Sequence, residues 1–174
     1  MIKIIIFLLV SIVITKFSWP TLFNTRSHGF YRFFAFEFLL ILILVTSTFW
    51  FYRPFSFFQL ISWAFLIVSI IMVYRGFSEL RNFGKPTGNI ETTTSLVASG
   101  IYKYIRHPLY GSLIFLGAGC FFKNPSLLAT SLFSVSTVFF YATALAEEQE
   151  NILKFGEEYA VYINRTRMFV PYIF

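Results

Sequence analysis

The sequence predicts an all-α, polytopic membrane protein with about five transmembrane helices, a C-terminal helical hairpin and an interfacial helix, and no Rossmann fold. Three observations carry that expectation. Of 174 residues, 57% are hydrophobic and 13% charged, about half the roughly 25% charged content of a soluble domain. Aromatic residues reach 22%, with 25 Phe, more apolar surface than a soluble interior of this size can hide. The apolar residues also fall in runs near the length of about 20 that a helix needs to cross a hydrocarbon core. A soluble enzyme, a secreted disulfide scaffold and a disordered chain are thereby excluded. The single cysteine, Cys120, makes no internal disulfide, and no His/Cys cluster suggests zinc.

The spans follow in order at 2–19, 33–52, 57–74, 108–122 and 126–146. In the first, Lys3 precedes an apolar run, as in a signal peptide. No small-x-small cleavage site follows, and Lys16 with Trp19 reads as an interfacial anchor, so a retained span is expected. The second holds Glu37 one turn inside its start, expected to be a boundary residue paired with Arg32 or Arg75. The fourth is short, about 22 Å at helical rise. It joins the fifth through Lys123-Asn124-Pro125, so the two form a tight hairpin expected to stop short of the far surface. Phe155-Gly156 marks a break, and Tyr159 and Tyr162 lie three apart on a short amphipathic helix. The chain reads as one integral-membrane domain, 1–174.

Lys and Arg divide unevenly between alternate sides. Lys3, Arg53 and Lys123 lie on one side and the other eleven on the opposite side, which places the N-terminus outside and the C-terminus and the segment 75–107 in the cytoplasm. The net charge of +6 then reflects topology and contact with anionic headgroups rather than nucleic-acid binding. Glu79, Glu91, Glu147, Glu148, Glu150, Glu157 and Glu158 fall on the same cytoplasmic side. An active site belongs there. No internal repeat supports an inverted-repeat transporter.

Two segments carry polar chemistry. The first is LVASGIYKYIRHPLYG, 96–111. Gly100 breaks the preceding structure, and Pro108 opens the fourth span where its missing N–H costs nothing. Arg106 and His107 stand just before it, flanked by Tyr102, Tyr104 and Tyr110. A cation, a titratable ring and phenols at a helix N-terminus suit an anionic or polar ligand, or else an interfacial belt. The second is AEEQENILKFGEEYAVY, 146–162, where Glu147 and Glu148 leave the membrane. A carboxylate turned inward there needs a cation, which Arg106 or a positively charged ligand would supply. The bland alternative is a solvated helix end.

Taken together, these segments resemble the C-terminal signature of isoprenylcysteine carboxyl methyltransferases, which the related phospholipid N-methyltransferases share. The matching residues are Leu96, Val97, Ser99, Gly100, Tyr102, Tyr104, Arg106, His107, Pro108, Tyr110 and Gly111, then Glu147, Glu148, Leu153, Phe155, Gly156, Tyr159 and Tyr162. The resemblance covers about 80–171; residues 1–79 match only as hydrophobic helices. Ile101 replaces the family's usual Pro, and Arg165-Thr166-Arg167 stands where the family often has R-V-P-R.

The resemblance implies an S-adenosylmethionine-dependent methyltransferase with S-adenosylhomocysteine as product. Its acceptor would be lipidic, the carboxylate of a prenylated cysteine-like group or a lipid amine. It assigns Tyr102, His107, Pro108, Tyr110 and Tyr159 to the cofactor, with a carboxylate from Glu147 or Glu148. Arg106 would partner that carboxylate or the cofactor's own. A carboxylate acceptor would favour Arg165 or Arg167; an amine must lose a proton, which Glu148 or His107 could take. The lone G-x-G, 117–119, lies inside a span and fails the dinucleotide fingerprint. Two alternatives stand beside this reading. Sterol-reductase-like proteins, which use NADPH, also carry R-H-P-x-Y, and a non-catalytic lipid-binding protein would tolerate the altered Arg pattern.

Overall fold

The computed structural model describes residues 1–85 and 93–172, and among them the regular secondary structure is helical, with one isolated backbone bridge. Glu91 lies outside the described residues. Six helices run in order: α1 (Ile2–Ser18), α2 (His28–Thr46), α3 (Phe57–Phe83), α4 (Pro108–Lys123), α5 (Leu127–Phe155) and α6 (Glu157–Arg165). Three stretches, His28–Phe49, Phe57–Phe83 and Leu127–Phe155, are long and apolar enough to cross a membrane, and Pro108–Lys123 is a shorter apolar helix. The apolar side chains left exposed, such as Leu8, Ile12, Ile70 and Val138, are the ones lipid would cover.

Two helix starts have a clear chemical cause. Ser27 caps α2, its hydroxyl accepting from the Gly29 N–H. Pro108 opens α4 at the first helical position, as its ring dictates. The larger departure from expectation is length. α3 runs nine residues past 74 and α5 nine past 146. Glu147, Glu148, Gln149 and Glu150 leave the apolar stretch but favour helix, so the chain stays helical where its hydropathy falls. α5 stops at Phe155 because Gly156 takes φ +60°, a left-handed conformation costly to any residue with a Cβ.

The chain divides into two compact units. The first comprises Met1–Leu66 and Ile114–Glu147. Its buried core is mainly aliphatic and small, with Ala35, Leu42, Ala129 and Phe140 fully enclosed. Half-buried rings pair around it: Phe34 and Phe38 stack on Phe139, and Phe65 lies parallel to Phe122 with centroids 5.5 Å apart. The G-x-G is a packing device. A Cβ on Gly119 would stand 2.7 Å from Leu66, and the Gly119 carbonyl accepts from Ser62 Oγ at 2.7 Å. Glu37 accepts a hydrogen bond from Ser11 Oγ of α1 at 2.8 Å, a partner the charge-pairing argument did not foresee.

The second unit comprises Ile67–Leu113 and Glu148–Phe174. α3 and α4 approach closely, with Ser69 Oγ donating to the Ser112 carbonyl at 2.7 Å and Gly76 facing Pro108 and Leu109. The segment after α3 is tied back by Ser95 Oγ to the Phe83 carbonyl at 2.8 Å and by Lys154 Nζ to the Thr93 carbonyl. Gly100, at φ +54°, turns the chain beside Glu79, whose Oε2 accepts from Ser99 Oγ at 2.6 Å. A single 3-10 turn at Gly100–Lys103 leads to Arg106 and His107.

Candidate functional site

The site lies in the second unit, where the segment before α4 is pinned to the chain after α6. Ile105 and Arg167 form a parallel bridge. The Arg167 N–H donates to the Tyr104 carbonyl at 2.9 Å, the Arg106 N–H to the Arg167 carbonyl at 2.8 Å, and the His107 N–H to the Met168 carbonyl at 3.0 Å. Four backbone positions in a row are thereby fixed, which holds the Arg106 and His107 side chains against α5.

Both side chains converge on one carboxylate oxygen. Arg106 Nε donates to Glu148 Oε1 at 2.6 Å, and His107 Nε2 lies 3.2 Å from the same atom. An ionised carboxylate only accepts, so this contact puts the imidazole proton on Nε2. Arg106 Nη1 donates to the carbonyls of Ile163 at 3.2 Å and Thr166 at 2.6 Å. Its Nη2 has no hydrogen-bond partner among the described residues. The Arg106 and Glu148 side chains are each about 10% exposed and that of His107 3%. At such burial a lone charge would be expensive, and pairing makes it tenable.

Aromatic rings wall this cluster. The His107 ring stacks on Tyr110 at 5.7 Å and 24° and lies 6.3 Å from Phe169. Tyr102 and Tyr159 are buried. Tyr162, 5.7 Å from Tyr159, donates its hydroxyl to the Tyr102 carbonyl at 2.7 Å. Burial pushes the Tyr162 phenol above its ordinary value, with Tyr159 adding to the shift.

The residues expected from the sequence therefore separate into two groups. Arg106, His107 and Glu148 form one hydrogen-bonded cluster, with Pro108 and Tyr110 on the same helix start and Tyr102 and Tyr159 joined through Tyr162. Of the two adjacent carboxylates, Glu148 is the buried one that meets Arg106 and His107, while Glu147 is half-buried. Arg165 and Arg167 have exposed side chains that line a separate cavity with Lys103, and only the backbone of Arg167 serves the cluster. Sequence reasoning missed the Ile163 and Thr166 carbonyls, which no residue type announces. It also gave Tyr162 no role, although the three-residue spacing from Tyr159 was the available signal.

Apolar helices of spanning length, with the ionisable cluster gathered in one unit, define an integral membrane protein carrying a polar site. Residues 57–155 match the phospholipid methyltransferase family, more than half of the chain, and the protein belongs to that family. The match starts at the first residue of α3, earlier than residue 80, and ends at the close of α5. Over 74 residues the chain is 32% identical to methanethiol S-methyltransferase 1 of Bradyrhizobium diazoefficiens. That similarity covers 41% of this chain and 25% of the relative's length.

Proposed function

We propose that this protein is a membrane methyltransferase that uses S-adenosylmethionine and methylates a lipidic acceptor at the cytoplasmic face. The observation that carries the reading is the Arg106–His107–Glu148 cluster, which unites the two segments singled out in the sequence within a chain of the phospholipid methyltransferase family.

The donor set suits the cofactor. S-adenosylmethionine is a zwitterion with an added sulfonium charge, so it needs an anion acceptor, a carboxylate and an aromatic wall. Arg106 Nη2 is an uncommitted guanidinium donor for a carboxylate. Glu148 supplies negative charge, and the stacked His107–Tyr110 pair supplies a ring face for a cation. When bound, the cofactor supplies an electrophilic methyl group on sulfur. The protein's part is alignment and exclusion of water. Arg106, held by two carbonyls and Glu148, is pre-positioned and need not reorganise. An amine acceptor would give up its proton to His107 or Glu148, whereas a carboxylate or thiolate would need no base.

Calorimetric titration of the detergent-purified full chain with S-adenosylhomocysteine and, separately, with NADPH tests the reading. Saturable binding of the first alone is expected. NADPH binding alone would move the protein to the reductases, and binding of neither by folded protein would leave a lipid-binding role. Transfer of a labelled methyl group to phosphatidylethanolamine, to a prenylated cysteine analogue or to methanethiol then assigns the acceptor. A reporter fused to the C-terminus should report the cytoplasm; a signal from the opposite side would overturn the orientation.

A further inference from the structure

The second unit carries another concentration of charge, outside the Arg106–His107–Glu148 cluster. Lys103, Arg165 and Arg167 line a cavity of about 220 Å³ together with Tyr104, Asn164 and Tyr172. Local geometry brings them there. Lys103 closes the 3-10 turn, Arg165 ends α6, and Arg167 is fixed by its backbone pairing with Ile105. The rings of Tyr104 and Tyr172 lie 6.2 Å apart.

Among the described residues, no carboxylate lines this cavity. All three cationic side chains are exposed, and none has an ion-pair partner among the described residues. Converging like charges repel, and an anion placed between them removes that repulsion. Guanidinium groups match phosphate oxygens two at a time, an ammonium adds a point charge, and the Asn164 amide adds neutral donors. Tyrosines beside cations are the residues that settle at headgroup depth. The adjoining groove of about 690 Å³ shares Lys103 and Arg165 but also has Glu157 and Glu158 on its wall, so preference for an anion belongs to the smaller cavity.

We infer that this cavity binds the phosphate of an anionic lipid headgroup, with Arg165 and Arg167 as the forked donors and Lys103 as the accompanying charge. The site is separate from the cluster assigned to methyl transfer and does not depend on that reading.

The full chain in non-ionic detergent, titrated calorimetrically with dioctanoyl phosphatidylglycerol and with inorganic phosphate, decides the matter. Saturable, salt-sensitive binding of the lipid is expected, weakened about fivefold by each of Lys103→Ala, Arg165→Ala and Arg167→Ala. The Arg165→Lys/Arg167→Lys double variant keeps the charge but loses the forked contacts, so it should bind more weakly than the native chain and more tightly than Arg165→Ala/Arg167→Ala, which separates loss of charge from loss of fold. Inorganic phosphate binding as tightly as the lipid would overturn the lipid assignment in favour of a soluble anion. Absence of saturable binding, or lipid affinity unchanged in a folded Arg165→Ala/Arg167→Ala variant, would overturn the site itself. S-adenosylhomocysteine titrated into the same samples keeps this outcome distinct from failure of the methyltransferase reading.

Discussion

Arg106 in the second unit and Lys123 in the first are both cations largely withdrawn from solvent, and their surroundings differ in kind. Lys123 is the last residue of α4 and is held by neutral groups. Its Nζ donates to Gln59 Oε1 at 2.9 Å and to the Trp50 carbonyl at 3.3 Å, and sits 3.4 Å from the Trp63 ring centroid. Arg106, two residues before α4, faces a carboxylate shared with a titratable imidazole. A neutral cage satisfies a charge without offering a proton or a counter-ion, so it is complete as it stands. A charged cage holds its groups in place and still leaves an open donor, Arg106 Nη2, for a ligand. Burial of a cation alone therefore does not mark a functional site; the chemistry of its partners does.

The sharpest way to break this contrast is to remove the shared carboxylate. Glu148→Ala leaves Arg106 buried without its counter-charge and should cost about 3–5 kcal/mol of stability, read as a lowered melting temperature in detergent, with S-adenosylhomocysteine binding lost. An unchanged melting curve would show that the pair contributes nothing. His107→Ala removes one partner of Glu148 and the ring stacked on Tyr110. It should weaken S-adenosylhomocysteine by at least tenfold, about 1.4 kcal/mol, while the helices stay folded by circular dichroism. Lys123→Met replaces the caged ammonium by an apolar chain of similar length. The expected cost is about 1–2 kcal/mol with S-adenosylhomocysteine affinity unchanged; weakened binding would erase the distinction between the two cations.

Tyr162→Phe should have the smallest effect. Loss of its hydrogen bond to Tyr102 costs about 1 kcal/mol. The raised Tyr162 phenol keeps its proton in the folded chain at pH values where the unfolded chain begins to lose it. Its contribution is therefore complete below about pH 10 and fades as the pH rises further. The substitution should flatten the alkaline loss of stability seen in melting curves across that range.

Much of this arrangement was legible before any coordinates. Hydropathy located the helices, although α2 (His28–Thr46) begins five residues before the expected 33 and ends six before 52. Pro108 marked the start of α4 and Gly156 the end of α5, because single residues impose those conformations. The order of Arg106, His107 and the paired glutamates pointed to one polar site. What stayed hidden depends on neighbours. Adjacent helical residues point about 100° apart, so choosing Glu148 over Glu147 needed the position of Arg106. Leaving the apolar stretch is also not the same as leaving the helix, which is why α5 outran its hydropathy signal. The Ile163 and Thr166 carbonyls belong to the backbone, and the Ser11 hydroxyl that meets Glu37 had no spacing to advertise it.

The guanidinium of Arg106 has a second consequence, for α6. A helix of nine residues is marginal by itself, and its last carbonyls need donors. Arg106 supplies them from 57 and 60 residues away in sequence, placing a positive charge at the negative end of the helix dipole. The amide protons of α6 therefore report on a side chain that lies outside the helix. Whatever draws Arg106 aside should appear as faster hydrogen exchange along Glu157–Arg165, turning a change at one cation into the fraying of a whole helix.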